Sequence, residues 1–349
     1  MSATLKQIAK LAGVSIGTVD RALHDRGRVN KEVAERIKLL AVELNYKPNA
    51  AAQGLKSRDK RIKIAVVLHL QTMNAFTFQV LDGVRRCARE LESFGATVEI
   101  IHSRDFDVDS QLKNIDRIVS EQYNGLILVP IHDPRITKKI NDLHQANFPV
   151  ILLTNILEDC NYYSYIGCNY QIAGAIAAGL AARFCQGNGH VLLFSPSFQM
   201  YGHVLRHKGM MSVFEKNYPN IHVQAVKELS SKEIEDYKCV LETLRQFPNP
   251  DIIICPGAFG NGIFTAIQEE TCPEKTRIIC FDTTDRMLPL LNNNTICAAI
   301  TQDPMRQGYT AVHHMFSLLS GEPETKRGTN YYISSRIFMQ ENLGELNYI

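Results

Sequence analysis

His203 and His207 stand four residues apart in a stretch whose spacing predicts a helix over 203–217, so both imidazoles share one helix face. Such a pair could begin a metal site, but a closed site needs more ligands. With no third ligand in view, two ordinary surface histidines are expected instead. His313 and His314 are adjacent and point in different directions on a helix. The Gly-rich run Gly257-Ala258-Phe259-Gly260-Asn261-Gly262 has the spacing G-x-x-G-x-G. That is not the dinucleotide fingerprint, and it follows the seventh strand of the body instead of opening the first βαβ unit. Neither G-x-x-x-x-G-K-[ST] nor G-x-S-x-G occurs. No catalytic residue, metal or cofactor is therefore assigned, and the expectation is a protein that is not an enzyme.

Binding is the remaining chemistry, and the charge is arranged for it. Residues 1–61 carry 13 Lys/Arg against 6 Asp/Glu, a net +7, while the rest carries 25 against 30, a net −5. A basic head on a mildly acidic body suits a polyanionic partner. The 349 residues suit two or three domains, and 45% hydrophobic with 21% charged residues is ordinary for a soluble globular chain. No run of about 18 apolar residues is present to span a membrane. The start, Met1-Ser2-Ala3-Thr4, is polar and unlike a signal region. Nine cysteines without a Cys-x-x-Cys pair, several within apolar runs such as Ile252–Cys255, fit core residues in a reducing cytoplasm.

In the head, Thr4-Leu5-Lys6-Gln7 is a capping box. It opens a helix to about Leu11, with Leu5, Ile8 and Ala9 inward. Gly13 supplies a sharp turn, Val14 plugs the core, and Ser15 caps a second helix over about 16–24 that buries Val19 and Leu23. A third helix, capped by Asn30, buries Val33, Ile37, Leu40 and Leu44 and ends near Asn45. Helix, Gly turn, helix, helix is the helix-turn-helix plan, whose second helix enters the major groove. Three-helix bundles also serve as plain structural modules, and the geometry alone leaves both open.

From Ile62 short apolar runs alternate with amphipathic segments. Strands are expected at Ile62–Leu68, Thr97–Ile101, Gly125–Val129, Val150–Leu153, Val191–Phe194, Val223–Val226, Ile252–Cys255 and Ile278–Phe281, with helices at 76–94, 109–122, 134–146, 170–185, 203–217, 232–247 and 259–270. Repeated β-α-β units argue for parallel sheets covered on both faces, and this length for two lobes.

The run Thr4–Ser15 with Thr18-Val19 and Arg21, together with Leu44-Asn45-Tyr46-Lys47-Pro48-Asn49, resembles the headpiece of the LacI/GalR repressor family. The resemblance implies that Ile16 and Gly17 occupy the base-reading positions, that Arg21 contacts DNA and that Thr18 bonds phosphate. Gly17 has no side chain to read with, so readout leans on Ile16, Arg21 and His24. Asp20 departs from a frequent serine and would be repelled by phosphate unless it pairs with Arg21, accepts from a cytosine amino group or turns away. Residues 49–57 resemble the family's hinge helix, with Leu55 matching the leucine that wedges into the minor groove; a short linker with an incidental leucine is the plainer alternative. Gly54 favours a hinge that orders only on DNA. The DNA-contacting set is then Thr4, Ser15, Ile16, Gly17, Thr18, Arg21, His24, Asn49, Ala52 and Leu55.

The body resembles periplasmic sugar-binding proteins and the LacI-family core. This implies an α/β two-lobed periplasmic-binding-protein-like fold of two doubly wound parallel sheets behind an all-α headpiece. The expected division is 1–48 for the headpiece, 49–61 for hinge and linker, and 62–349 for the core. Its N-lobe takes 62–165 and 303–322, its C-lobe 166–302 and 323–341, with crossings near 162–168, 282–302 and 321–326. Ligand belongs in the cleft beyond the strands' carboxyl ends. The resemblance points to Asn74, Phe76, Asn155, Asn169, Arg206, Asp282 and Gln302 as effector-binding. Cys255-Pro256-Gly257-Ala258 replaces a frequent Asn-Asp, so the selectivity of that wall does not transfer. The implied protein is a transcription regulator, expected to be a repressor, that binds double-stranded operator DNA as a homodimer in the bacterial cytoplasm, at the nucleoid, under control of a small-molecule effector, a sugar or sugar derivative. Two alternatives stand beside it. One is a sugar-binding or sugar-processing protein without a DNA role. The other is a nucleoside-responsive regulator using Phe76, Phe78 and Tyr201 around a base.

Overall fold

The computed structural model describes residues 5–23, 29–44, 61–69, 75–103, 106–230, 232–257, 262–272, 275–284, 287–322 and 328–348. The hinge residues Asn49, Ala52 and Leu55, and also Thr4, His24 and Asn74, lie outside them.

The head is three helices, α1 (Leu5–Ala12), α2 (Ile16–Leu23) and α3 (Lys31–Glu43). Ile8, Ala12, Val19 and Ile37 are essentially inaccessible and form its core, flanked by Val14, Leu23, Val33 and Leu40. Gly13 takes φ +66° between α1 and α2, where a Cβ would be strained. Arg36 Nη2 donates to the Ala12 carbonyl, tying α3 to the end of α1.

The body holds two six-stranded sheets. The first orders as β11-β5-β4-β3-β1-β2, from β1 (Ile62–His69), β2 (Ala96–Ser103), β3 (Gly125–Leu128), β4 (Val150–Leu153), β5 (Ser164–Gly167) and β11 (Tyr331–Tyr332). The second orders as β12-β10-β9-β8-β6-β7, from β6 (Gly189–Ser195), β7 (Ile221–Glu228), β8 (Ile252–Pro256), β9 (Arg277–Phe281), β10 (Ile296–Thr301) and β12 (Arg336–Phe338). Every pairing is parallel except β10 with β12. The two orders superpose term by term, so the lobes are pseudo-repeats. β3 and β4 are buried at every position, which is why they read as unbroken apolar runs.

The covering helices are α4 (Ala75–Glu92), α5 (Val108–Ser120), α6 (Pro134–Gln145), α7 (Tyr170–Phe184), α8 (Tyr201–Asn217), α9 (Glu233–Gln246), α10 (Gly262–Glu270), α11 (Leu288–Asn292) and α12 (Pro304–Ser320), with a 3₁₀ segment over Gln340–Tyr348. Two of them exchange lobes. α7 leaves the first sheet at β5 and packs on α8 of the second lobe; α12 leaves the second sheet at β10 and packs on α4 of the first. Both exchanges are glycine crossings. A Cβ on Gly174 would lie 2.0 Å from the Arg206 carbonyl oxygen and one on Gly209 2.1 Å from that of Gln171; one on Gly308 would lie 2.1 Å from that of Val80.

The crossings differ from expectation in place. β10 still belongs to the second sheet through Thr301, so the second crossing is at Gln302-Asp303 and not spread over 282–302. β11 pairs with β5 in the first sheet, so the third comes after Tyr332, not at 321–326, and Tyr331-Tyr332 leave the C-lobe. Ser164–Gly167 as a whole belongs to the first sheet.

Candidate functional site

On the head, Ser15 ends the turn and caps α2: its Oγ accepts from the Thr18 amide at 3.1 Å and lies 2.9 Å from Thr18 Oγ1. Ser15, Ile16, Gly17 and Arg21 are exposed, with Ile16 48% accessible. An apolar side chain held out at the start of a short helix is available to a base edge or a thymine methyl. Arg21 Nε donates to the Gly17 carbonyl at 3.0 Å, which fixes the guanidinium along the helix.

In the body a cavity of about 330 Å³ lies between the lobes. Eight of the twelve described strands deliver the residue at or just past their carboxyl end to it: His69, Val129, Thr154, Pro196, Glu228, Pro256, Asp282 and Gln302. Such a crevice is where doubly wound sheets bind ligands. Thr154 and Asp282 are pseudo-repeat equivalents, following β4 and β9. Both take positive φ, 58° and 63°, and their amides donate to Ile166 and Ile300 at 2.9 Å. Holding a β-branched threonine there costs on the order of 1–2 kcal/mol, and strain of this kind collects at ligand sites.

The polar centre of the cavity is Arg206 with Asp282. Arg206, only 5% accessible, lies with its guanidinium carbon 3.8 Å over the Phe281 ring centroid and 5.1 Å from that of Tyr170. Its Nε and Nη2 have no partner among the described residues, nor has Asp282 Oδ1. Asp282 Oδ2 accepts from Gln302 Nε2 at 2.7 Å, and Gln302 Oε1 in turn accepts from Cys168 Sγ at 2.9 Å. Burial pushes the Asp282 carboxyl up to about 6, with Arg206 and the Gln302 bonds pulling the other way. Burial likewise lowers His69 to about 4, and His203, with Arg206 adding to it, to about 3, so both imidazoles are neutral. Unmet donors beside an unmet acceptor match a hydroxyl group, which accepts and donates at once. A ligand carboxylate would leave Asp282 unanswered and be repelled by it; an ammonium would do the same to Arg206.

Of the sequence-predicted residues, Phe76, Arg206, Asp282 and Gln302 come together in the wall. Asn155 and Asn169 do not. Asn155 is fully buried beside the cavity and ties the lobes: Nδ2 donates to the Pro130 carbonyl at 2.8 Å, and Oδ1 accepts from the Gly202 amide at 2.9 Å. Asn169 is the N-cap of α7, accepting from Ile172 N at 3.1 Å, as Asp303 caps α12. Its side chain is spent on the helix and borders a shallow outer groove. Thr154, Tyr170, His69, Phe106 and His203 were missed. Their signal was position, since each lies beside the carboxyl end of a strand or at a helix start. His203 and His207 are half-buried, not surface residues; His203 faces the cavity with Nδ1 2.9 Å from the Ser197 carbonyl. No group of three metal-ligating side chains occurs among the described residues. Of the aromatics proposed for a base, Phe76 alone lines the cavity; Phe78 is exposed, and Tyr201 is buried against His132.

The family model for the periplasmic binding protein domain matches residues 64–323, and that for bacterial regulatory proteins of the lacI family matches residues 4–49. The chain belongs to the lacI family of regulators. Catabolite control protein A of Staphylococcus epidermidis is 25% identical over 293 residues, 81% of this chain and 83% of that protein. The ribose operon repressor of Haemophilus influenzae is 32% identical over 128 residues, 36% of each chain. Among solved structures, the glucose-galactose binding protein GanP of Geobacillus stearothermophilus superposes with a TM-score of 0.72 at 21% identity, covering 81% of this chain and 99% of that one. The LacI-family regulator therefore joins a DNA-binding headpiece to a two-lobed binding core. No helix among its described residues is long and apolar enough to cross a membrane.

In the regulator, closure of the two lobes rests partly on Asn155. Asn155→Ala leaves the Gly202 amide and Pro130 carbonyl unpaired unless the lobes part, at a cost of about 1–3 kcal/mol to the closed form. The variant should show a larger radius of gyration by small-angle scattering without ligand and weaker effector binding by calorimetry. Unchanged scattering and affinity would show that other contacts hold the lobes together.

Proposed function

We propose that this regulator is a repressor-type transcription factor whose affinity for operator DNA is set by a neutral, polyhydroxylated effector, a sugar or cyclitol, bound between its lobes. The observation that carries this reading is the pair of opposite unmet valences, Arg206 donors and the Asp282 acceptor, in the wall of one cavity. The name of the similar ribose operon repressor supports a carbohydrate. Binding is the function, with no turnover. The effector sets the angle between the lobes, and through it the spacing of two headpieces. A headpiece this small reads only a few base pairs, so the regulator acts as a homodimer on a near-palindromic site, in the cytoplasm at the nucleoid. The coupling between effector and DNA is reciprocal and on the order of 1–3 kcal/mol.

The test is a titration of duplex selected from a random library, with and without each member of a sugar and cyclitol panel, alongside sedimentation of the free protein. An effect of one compound on operator affinity, and a dimer at micromolar concentration, are expected. A stable monomer that footprints a half-site, or affinity indifferent to the whole panel, would refute it. Arg21→Ala should cost about 1–3 kcal/mol of operator affinity and relax sequence preference at the contacted base. An equal loss on random duplex would instead make Arg21 a phosphate contact.

A further inference from the structure

Both of the first two crossings end on one buried thiol. Cys168 directly follows β5 at the first crossing, and Gln302 directly follows β10 at the second; both are buried. The Gln302 side chain bridges Cys168 and Asp282: Oε1 accepts from Cys168 Sγ at 2.9 Å, and Nε2 donates to Asp282 Oδ2 at 2.7 Å. The two ends of the amide cannot be exchanged. Turned over, it would set its oxygen against a carboxylate and its NH2 group against sulfur, a weak acceptor. The backbone at each end is pinned as well. Tyr165 Oη donates to the Cys168 carbonyl at 2.9 Å, and Gln307 Nε2 donates to the Gln302 carbonyl at 2.8 Å. Gly167 leaves room for the Tyr165 ring, which a Cβ there would strike.

The consequence falls on Asp282. Gln302 takes Oδ2, while Oδ1 is buried with no partner among the described residues. The Gln302 bonds also favour the charged carboxylate, against the burial that raises it to about 6. The other groups facing Asp282 are Arg206 of α8, Tyr170 of α7 and the Cys168 thiol. Burial pushes the thiol up to about 12 and the Tyr170 hydroxyl well above its ordinary value. Both therefore keep their protons wherever the carboxyl titrates, and Cys168 is a donor to Gln302 throughout. The thiol is not part of the cavity wall, so its effect on a ligand passes through Gln302.

Resting on the proposed function, we infer that Cys168 is a positioning residue for effector binding: its thiol holds the Gln302 amide in the orientation that binds Asp282 Oδ2 and leaves Oδ1 for an effector hydroxyl. A buried cysteine that merely fills space acts through its size. This one acts through its hydrogen.

The test compares Cys168→Ala, which removes the donor, with Cys168→Ser, which restores one. Both are made in the full-length protein, with the fold checked by circular dichroism and thermal unfolding. Without ligand, the Asp282 carboxyl is followed by carbon-13 NMR on labelled aspartate, its signal assigned with Asp282→Asn. Cys168→Ala should raise its midpoint from about 6 to roughly 7, because a freed amide no longer steadies the charge. Cys168→Ser should bring it back toward the parent. The ionised fraction at pH 6.5 then falls from about three-quarters to about one-quarter, so calorimetry should read a roughly three-fold loss of effector affinity there and almost none at about pH 8. An unmoved midpoint in folded Cys168→Ala overturns the inference. So does a Cys168→Ser that behaves like Cys168→Ala, or an affinity lost equally at both pH values, either of which makes Cys168 a packing residue. A midpoint that moves as expected in a protein indifferent to every sugar and cyclitol upholds the hold of Cys168 on Asp282 and overturns the proposed function.

Discussion

Asp282→Asn should make the ligand-free regulator more stable at neutral pH while nearly abolishing its response to effector. The carboxyl sits at about 6 against an ordinary 3.8 because it is buried. The native state thus holds a proton that the unfolded chain releases more easily. The resulting penalty is absent below about pH 4, grows between there and about pH 6, and is fully present above it. The gap corresponds to on the order of 3 kcal/mol. Asparagine keeps the shape, tolerates the positive φ at this position, and carries no charge to bury. Its stabilisation should be about 1–3 kcal/mol at pH 7.5 and vanish near pH 4, as read from urea unfolding at the two pH values. Effector binding should weaken by about 1.5–3 kcal/mol, the worth of a hydrogen bond to a charged group. In the parent protein the same affinity should decline as pH falls below about 6 and Asp282 takes up its proton. A variant that is both less stable at pH 7.5 and fully responsive would make Asp282 a structural residue.

Gly174→Ala and Gly179→Ala, five residues apart on α7, should have opposite signs. At Gly174 the new Cβ meets the Arg206 backbone oxygen at 2.0 Å, and backbone cannot swing aside as a side chain can. The α7–α8 crossing must widen, at about 1–3 kcal/mol or more, which outweighs the roughly 1 kcal/mol gained in helix propensity. Because the displaced residue is Arg206 itself, effector affinity should fall as well. At Gly179 the nearest atom is Arg183 Nη1 at 3.2 Å, the end of a flexible chain, so propensity decides and the variant gains about 0.5–1 kcal/mol. Thermal unfolding and effector titration of both variants check this; equal effects would mean the crossing is looser than its geometry.

Most of this architecture was legible in the sequence for physical reasons. Buried parallel strands such as Val150–Leu153 are apolar throughout and bounded by polar helices, which makes them hard to miss. The headpiece announced itself through Gly13, Ser15 and the spacing of Ile8, Val19 and Ile37. Four strands went unread. Ser164-Tyr165-Ile166-Gly167 is short and ends in glycine, and in Ile296–Thr301 the run Cys297-Ala298-Ala299 separates the β-branched residues at the two ends, so neither shows an unbroken β-branched run. β11 and β12 are only two and three residues long, set by tertiary pairing alone. In the site, Arg206 and Asp282 could be placed by resemblance. Asn155 and Asn169 could not be told from ligand contacts, because an amide that caps a helix or bridges lobes has the same composition as one that binds a hydroxyl. The cavity's wall, drawn from strand ends far apart in the chain, exists only after folding.

The exchange of α7 and α12 between lobes also sets an order of assembly during synthesis. The apolar cluster on one face of the second lobe is built from residues between Ala173 and Ile300. Its counterpart in the first lobe begins at Ile62 but needs Ala311, Val312, Met315 and Phe316 of α12. At about 5–20 residues per second, the ribosome delivers those side chains some tens of seconds after β1 has emerged. Throughout that interval Val80 and Val84 of α4 present an uncovered apolar stripe, whereas the second lobe's cluster, made between Ala173 and Ile300, waits a shorter time for its last members. The first lobe is thus the half whose core stays uncovered longest during synthesis. Substitutions buried in α12, such as Met315→Ala, should then reduce the yield of soluble protein at elevated growth temperature while leaving the effector affinity of the molecules that do mature near that of the parent.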